Sequence, residues 1–296
     1  MTNLLVELDK AGCEWVIVAY CANYGAMIQV VESSISPHVA TGVLISYSNK
    51  EFVSLENMLV GLNTDPIKIS DLRADLEIHE DWWLPRSMSI RQAAKKSNHG
   101  LNYDMKYKRF ALENEIGETE ANDLVERYHQ AYPGIRQWHK SIQEQLQKNR
   151  MLTNCFGRQR RFLDGWGPQL FDAAYSFIPQ STTFDITRVG MIGWQNDTTM
   201  DKIELLAQTH DSLTFQFNNI KTGKDLAPHA VKLGLDYMNP TLTYNQRDFQ
   251  IGTTMKIGTN WGGEGMHECL LSEDVDETAK AVDEVLELIG GEPQAG

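Results

Sequence analysis

The sequence predicts a mixed α/β protein of the α+β kind, an antiparallel sheet with a separate block of helices. Three observations carry that prediction. Leu4, Leu5, Val6, Glu7 and Leu8 read as a buried strand that stops at Asp9. Residues 203–217 read as strand, tight turn, strand, with His210 and Asp211 at the turn and Leu213, Phe215 and Phe217 alternating toward a core. Between them lie three long stretches of helical spacing, 91–103, 118–149 and 171–195. At 296 residues, 42% hydrophobic and 23% charged, the chain can build one large domain or two subdomains with a real core.

In order along the chain, an acid closing a buried strand is rigidly held, which suits a metal ligand. Taken alone, Asp9 reads sooner as a simple turn aspartate. Residues 14–21 continue as an apolar helix. Residues 45–90 read as an insertion carrying Asp71, Asp75, Glu77, Glu80 and Asp81, then Trp82 and Trp83, a pair placed for packing. The organising stretch is 91–103. Arg91, Lys95, His99 and Tyr103 recur every four residues, so a helix puts them on one stripe about 18 Å long. Two cations followed by two rings suit a nucleoside triphosphate, and the alternative is a solvated basic face. Ser89 is placed to cap this helix. Residues 118–132 form an amphipathic helix broken at Pro133 and Gly134, and 135–149 form the next. Residues 152–161 make a Gly-centred turn with Arg158, Arg160 and Arg161, a phosphate-binding hairpin or a solvated one. The helix at 171–195 is expected to be interrupted at Pro179, and 225–238 to be one helix. Residues 255–262 are expected to end the last strand. Residues 273–291 place Val275, Ala279, Val282, Val285, Leu286 and Ile289 on one face of an acidic helix, docked on the sheet or left as a partner-binding tail.

The net charge of −13 argues at first against a nucleic-acid binder. Its distribution removes the objection. Residues 264–292 hold ten acids and one base, a charge of −9, which leaves −4 for the remainder. Residues 86–110 hold seven bases and one acid, and 148–161 five bases and no acid. Local potential, more than the total, steers DNA. The N-terminus carries no signal peptide, and no apolar run is long enough to span a membrane, so the expectation is a cytoplasmic protein with no membrane partner. Cys13, Cys21, Cys155 and Cys269 form no C-x2-C pair and are expected as reduced thiols, the first two in the core.

Together, D-x4-E at Asp9 and Glu14, R-x3-K-x7-Y at Arg91, Lys95 and Tyr103, and His210-Asp211 resemble the family A DNA polymerases, the group of the bacterial repair polymerase and many phage replicases. Tyr132-Pro133-Gly134-Ile135 with Trp138, T-x3-G-R-x-R from Thr153 to Arg160, Gln180-x-Thr182-x2-Asp185, and Gly258-x-Asn260-Trp261 extend the resemblance over nearly the whole chain. It implies a polymerase right-hand fold: palm at 1–24 and 169–263, helical fingers at 25–168 with the insertion around 45–90, and an acidic helix and tail at 264–296. It implies template-directed 5′ to 3′ DNA synthesis with two Mg2+ ions, Mn2+ being the alternative ion. Asp9, Asp211 and the backbone carbonyl of Lys10 would hold the metals. Arg91, Lys95, His99, Tyr103, Glu14 and Lys10 would line the dNTP site. Glu14 would exclude a ribose 2′-hydroxyl, and Lys95 would assist the leaving group. Gln180, Thr182, Gln208, His210, Thr153, Arg158, Arg160 and Arg161 would contact primer–template DNA, Gln180 by reading minor-groove acceptors.

Four positions depart from the family pattern: Ser212 where it has Glu, His99 where it has an aromatic or Tyr-type residue, Asp104 where it has Gly, and Ser181 where it has Gly. Ser36 also stands near the usual place of an acid. Only eight residues precede Asp9, so thumb and exonuclease domains are expected to be absent and supplied in trans by a partner polypeptide, as in a split or truncated phage-type enzyme. Two other readings compete: a catalytically degenerate remnant acting as an interaction module, and a single-subunit RNA polymerase.

Overall fold

A computed structural model describes residues 2–33, 35–45, 88–261 and 265–291. Most of the expected insertion, Trp82 and Trp83 included, lies outside them. The elements in order are β1 (Thr2–Lys10), α1 (Cys13–Ala22), α2 (Gly25–Glu32), α3 (Pro37–Ile45), α4 (Ile90–Leu101), α5 (Tyr107–Asn114), α6 (Glu118–Ala131), α7 (Pro133–Asn149), β2 (Met151–Thr153), β3 (Gln159–Arg161), α8 (Pro168–Asn196), β4 (Ile203–Thr209), β5 (Ser212–Ile220), α9 (Gly223–Val231), β6 (Leu242–Tyr244), β7 (Arg247–Phe249), β8 (Thr253–Gly258), β9 (Met266–Cys269) and α10 (Val275–Gly291). They fall into two compact units. One comprises Met1–Cys13, Thr182–Thr243 and Asp248–Gly296, and the other Glu14–Ser181 with Tyr244–Arg247. The expected divisions at 24/25 and 168/169 compare with these at 13/14 and 181/182.

The first unit is a five-stranded sheet in the order β4-β5-β1-β8-β9, antiparallel throughout. Period-two burial on β1 follows the sequence: Leu4, Val6 and Leu8 are fully buried, while Leu5, Glu7 and Asp9 are half-buried. Leu213, Phe215, Phe217, Met255 and Ile257 join the buried face, and Leu226, Ala230, Val282 and Val285 of α9 and α10 cover it. A fully buried leucine there contributes about 2 kcal/mol. The acidic helix α10 is therefore part of this core, with Ala279 also buried; only Val275, at its first residue, is exposed among the predicted face.

Three expectations at this level are corrected. The helix at 225–238 is α9 followed by a π-helical turn, Lys232–Tyr237. The strand at Met255 is not the last, because β9 pairs with it. Pro179 does not interrupt α8, which runs unbroken from Pro168 to Asn196. A proline removes one N–H and crowds one carbonyl, and the burial of Tyr175, Phe177, Ile178 and Ile186 along the same helix outweighs that local cost.

The second unit is helical. Ser89 caps α4 through a capping box: its Oγ accepts from the Gln92 amide at 3.2 Å, and the Gln92 side chain accepts from the Ser89 amide at 3.3 Å. The buried face of α4 carries Asn98, which sits in a closed polar network. Asn98 Oδ1 accepts from Thr41 Oγ1 (2.8 Å) and Tyr128 hydroxyl (3.2 Å), and Tyr132 hydroxyl lies 2.7 Å from Thr41 Oγ1. Asn98 Nδ2 then faces the Pro37 carbonyl (3.3 Å) and His38 Nδ1 (3.1 Å). The Tyr128 hydroxyl also lies 2.8 Å from Asn102 Oδ1, and His139 Nε2 lies 2.7 Å from the Asn102 carbonyl. The network joins α3, α4, α6 and α7 and fixes which way α4 faces. Cys13 is buried as expected, whereas Cys21 is only half-buried. Among the described residues no helix is long and apolar enough to cross a membrane.

Candidate active site

In the sheet unit the two acids meet. Asp9 pairs across the ladder with Ser212, the residue after Asp211. The Lys10 amide donates to the Asp211 carbonyl at 3.2 Å. His210 takes a left-handed φ of 51° at the turn, which brings Asp211 back over the strand end. The Asp9 carboxyl is pushed up to about 6, first by burial, then by the charges of Asp211 and Glu7 and a hydrogen bond with Asp211; Lys256 pulls the other way. A carboxyl raised by a neighbouring carboxylate in this manner belongs to an oxygen donor set with an unneutralised charge, which fits a divalent cation. Among the described residues no group of three or more His, Cys, Asp or Glu is arranged to hold a metal ion. The protein side of such a site is thus the acid pair and nearby backbone carbonyl, with water or substrate oxygens completing it. Ser212, in the place of the family's third acid, is buried and donates to the Thr209 carbonyl at 3.0 Å. The Lys10 side chain is not among the groups facing outward: it is 1% exposed and points into the core. Burial pushes its ammonium down to about 8.

In the helical unit the expected stripe is present but shorter than predicted. Lys95 and His99 are exposed and Arg91 is half-buried. Tyr103 lies beyond the helix, which ends at Leu101, in a turn where the Tyr103 and Met105 amides donate to the Gly100 carbonyl at 3.2 and 3.1 Å. The departure at Asp104 explains the turn. Its φ of 64° is the left-handed conformation that glycine favours and aspartate tolerates. The stripe still closes, because the His99 and Tyr103 rings meet edge-on at 6.0 Å. Glu14 gathers both: its Oε2 accepts from the Tyr103 hydroxyl and lies 3.8 Å from His99 Nδ1.

One further residue of this face, His38, stands in the segment 37–42, where the family has D-x-H-x-x-T-A, and the sequence alone indicates no role for it. His38 is held neutral, pushed down to about 4 by burial first, then by the Arg91 and Lys95 charges. The Pro37 carbonyl can only accept, so the Asn98 atom facing it is the amide nitrogen; His38 Nδ1 is then the acceptor and the ring proton sits on Nε2. The available signal was His38 and Thr41 at i, i+3 on a helix, sharing one face.

Of the residues expected to touch DNA, Thr153, Arg160 and Arg161 are exposed on the β2–β3 hairpin and Arg158 is half-buried. Asn154 Oδ1 shapes the hairpin turn by accepting from the Phe156 and Arg158 amides, both at 3.0 Å, and Gly157 takes a φ of 80° that favours glycine. Gln180 and His210 are exposed, and Gln208 donates to Thr187 Oγ1 at 3.3 Å. Thr182 is fully buried, so its side chain is not offered to a ligand: it lies on the inner side of α8 with Thr183 and Ile186.

The sheet and helical block have the fold of the right-hand polymerases. The sequence pattern of DNA polymerase family A matches residues 85–263, and the chain belongs to that family. Among curated proteins it is similar to DNA polymerase I of Treponema pallidum (strain Nichols), 29% identical over 50% of this chain and 16% of that protein. It is also similar to the thermostable DNA polymerase I of Thermus filiformis, 28% identical over 58% of this chain and 20% of that one. The chain thus spans about a fifth or less of these relatives. Among solved structures, the POL domain of Pol1 from M. smegmatis, in complex with DNA primer-template and dNTP, superposes with a TM-score of 0.63. That likeness has 19% identity and covers 87% of this chain and 40% of that one.

Proposed function

We propose that this chain carries out template-directed DNA synthesis, adding deoxynucleotides 5′ to 3′ to a primer. The observation that carries the reading is the acid pair: Asp9 and Asp211, 202 positions apart in sequence, meet where the central strand β1 ends beside the β4–β5 turn, and Asp9 is pushed up to about 6 partly by that neighbour. Two Mg2+ ions held by Asp9, Asp211 and the Lys10 backbone carbonyl would activate the primer 3′-hydroxyl and neutralise the triphosphate. Arg91 and Lys95 bind triphosphate oxygens, and the His38 Nε2–H is a third donor on that face. Lys95 supplies a proton or positive charge to the departing pyrophosphate. Glu14, tied to Tyr103, stands against a ribose 2′-hydroxyl, which favours a DNA over an RNA polymerase. Arg158, Arg160 and Arg161 hold the DNA backbone and Gln180 reads the minor groove.

The test is primer extension with dNTPs and Mg2+, by the chain alone and with a thumb-bearing polypeptide added in trans. Incorporation that Asp9→Ala and Asp211→Ala abolish is the expected result. No incorporation in either setting, with folded protein, overturns it in favour of an interaction module, the reading that Ser212 supports.

A further inference from the structure

Lys10 is a buried amine next to the acid pair, and the reaction as described above uses only its backbone. Its ammonium sits in a seat of three oxygens, donating to the Met238 carbonyl at 2.8 Å, Thr253 Oγ1 at 2.9 Å and Asn239 Oδ1 at 3.3 Å. All three N–H bonds are satisfied, as a fully buried ammonium requires. The seat is built by local peculiarities. Met238 ends the π-helical turn Lys232–Tyr237, so its carbonyl lies at a helix C-terminus, where a cation is favoured. Gly234 in that turn is where a side chain would meet Leu271, Leu8 and Thr253, so glycine lets the turn lie against β1 and β8. Thr253 Oγ1 donates to the Gly234 carbonyl at 2.9 Å, which leaves its lone pairs aimed at Lys10. At its other end, the Lys10 amide holds the Asp211 carbonyl. One residue therefore adjoins Asp9 in the chain, grips Asp211 through its backbone, and is anchored in the core by its side chain.

We infer that Lys10 is a positioning residue for the metal-binding acid pair: its seated ammonium fixes the end of β1 and so sets the spacing of Asp9 and Asp211. The inference rests on the reading of those acids as metal ligands. Burial alone would be met by a methionine. A seat with three oxygen acceptors around the amine points to a position that has to be held.

The experiment is a titration of the full chain with Mn2+, read by electron paramagnetic resonance without DNA or nucleotide. Asp9→Asn/Asp211→Asn defines the site. Lys10→Ala should weaken Mn2+ binding about tenfold or more, the usual effect of losing an outer-shell support. Propylammonium, which can refill the seat, should restore most of the loss, and tetramethylammonium, which has no N–H, should not. Mn2+ binding lost in the double variant but unaltered in Lys10→Ala overturns this inference alone. Weakened binding that propylammonium leaves unrestored also overturns it. Binding that survives the double variant overturns the metal reading and this inference with it. Where Lys10→Ala does not fold, Thr253→Val removes one acceptor at nearly constant shape. A weakened Mn2+ affinity in it supports the seat, and an unchanged one overturns it.

Discussion

Two polar clusters, one in each unit, are built in opposite ways. Around Asn98 the helical unit matches donors to acceptors: the Thr41 and Tyr128 hydroxyls lie on the amide oxygen, and two acceptors face the amide nitrogen. At the end of β1 the sheet unit brings together like charges, Asp9 against Asp211 and Glu7, that a proton or a bound cation would relieve. A matched network needs no ligand and defines a shape. An unmatched pair gives up stability and has a use for a ligand. The difference is what the proposed function uses: it takes the acids as the place of chemistry and the Asn98 network as scaffold within the helical unit.

The largest expected effect breaks the comparison on the chemical side. Asp9→Ala or Asp211→Ala should lower single-turnover primer extension by about 10³-fold or more while leaving thermal stability in EDTA equal or higher. Loss of stability together with activity would mean that the pair is structural. On the scaffold side, Asn98→Leu takes one partner each from the Thr41 and Tyr128 hydroxyls, the Pro37 carbonyl and His38 in a buried setting. It should cost about 3 kcal/mol, read as a lowered urea midpoint. A neutral result would remove the network from any role in holding α4. Third, Glu14→Ala frees the Tyr103 hydroxyl and opens the sugar position. Discrimination against rNTPs should fall by about 10- to 100-fold in competitive incorporation, with the dNTP rate changed less.

Much of this was legible because it is local. The alternation in β1, the turn at His210-Asp211 and the cap at Ser89 each rest on a few neighbouring residues, and the structure has all three. The acidic helix was legible for the same reason, its apolar residues repeating at helical spacing. What escaped depends on distant partners. Pro179 reads as a breaker until the packing of α8 is known. Tyr103 continues the four-residue period, yet the chain leaves the helix at Leu101 and the residue keeps its place through a turn that Asp104 makes. Lys10 looks like one more exposed cation beside an acid. Only the π-helical turn, 222 positions away at its first residue, shows that its amine is seated inside. His38 became visible once Asn98 fixed its tautomer.

The smallest effect is the most direct measure of the contrast, because the two units should drift in opposite directions with pH. Asp9 has a folded value of about 6 against 3.8 for the free group. Its contribution is fully present below 3.8 and is lost as pH rises through 6, since the folded state holds the proton more tightly. His38 has a folded value of about 4 against 6.5. Its contribution is present above 6.5 and is lost as pH falls toward 4, because the unfolded chain takes up the proton first. Two variants separate the opposing slopes in urea unfolding of the metal-free protein. Asp211→Asn removes a like charge and should stabilise by about 1 kcal/mol at pH 8, after allowance for solvent screening, with the gain gone by about pH 4. His38→Gln keeps an acceptor for Asn98 but cannot titrate, so it should match the parent at pH 8 and gain on it as pH falls below 6. Differences that grow in the same pH direction in both variants would mean that the acids are no more frustrated than the histidine, and the division between a charged site and a matched scaffold would fail.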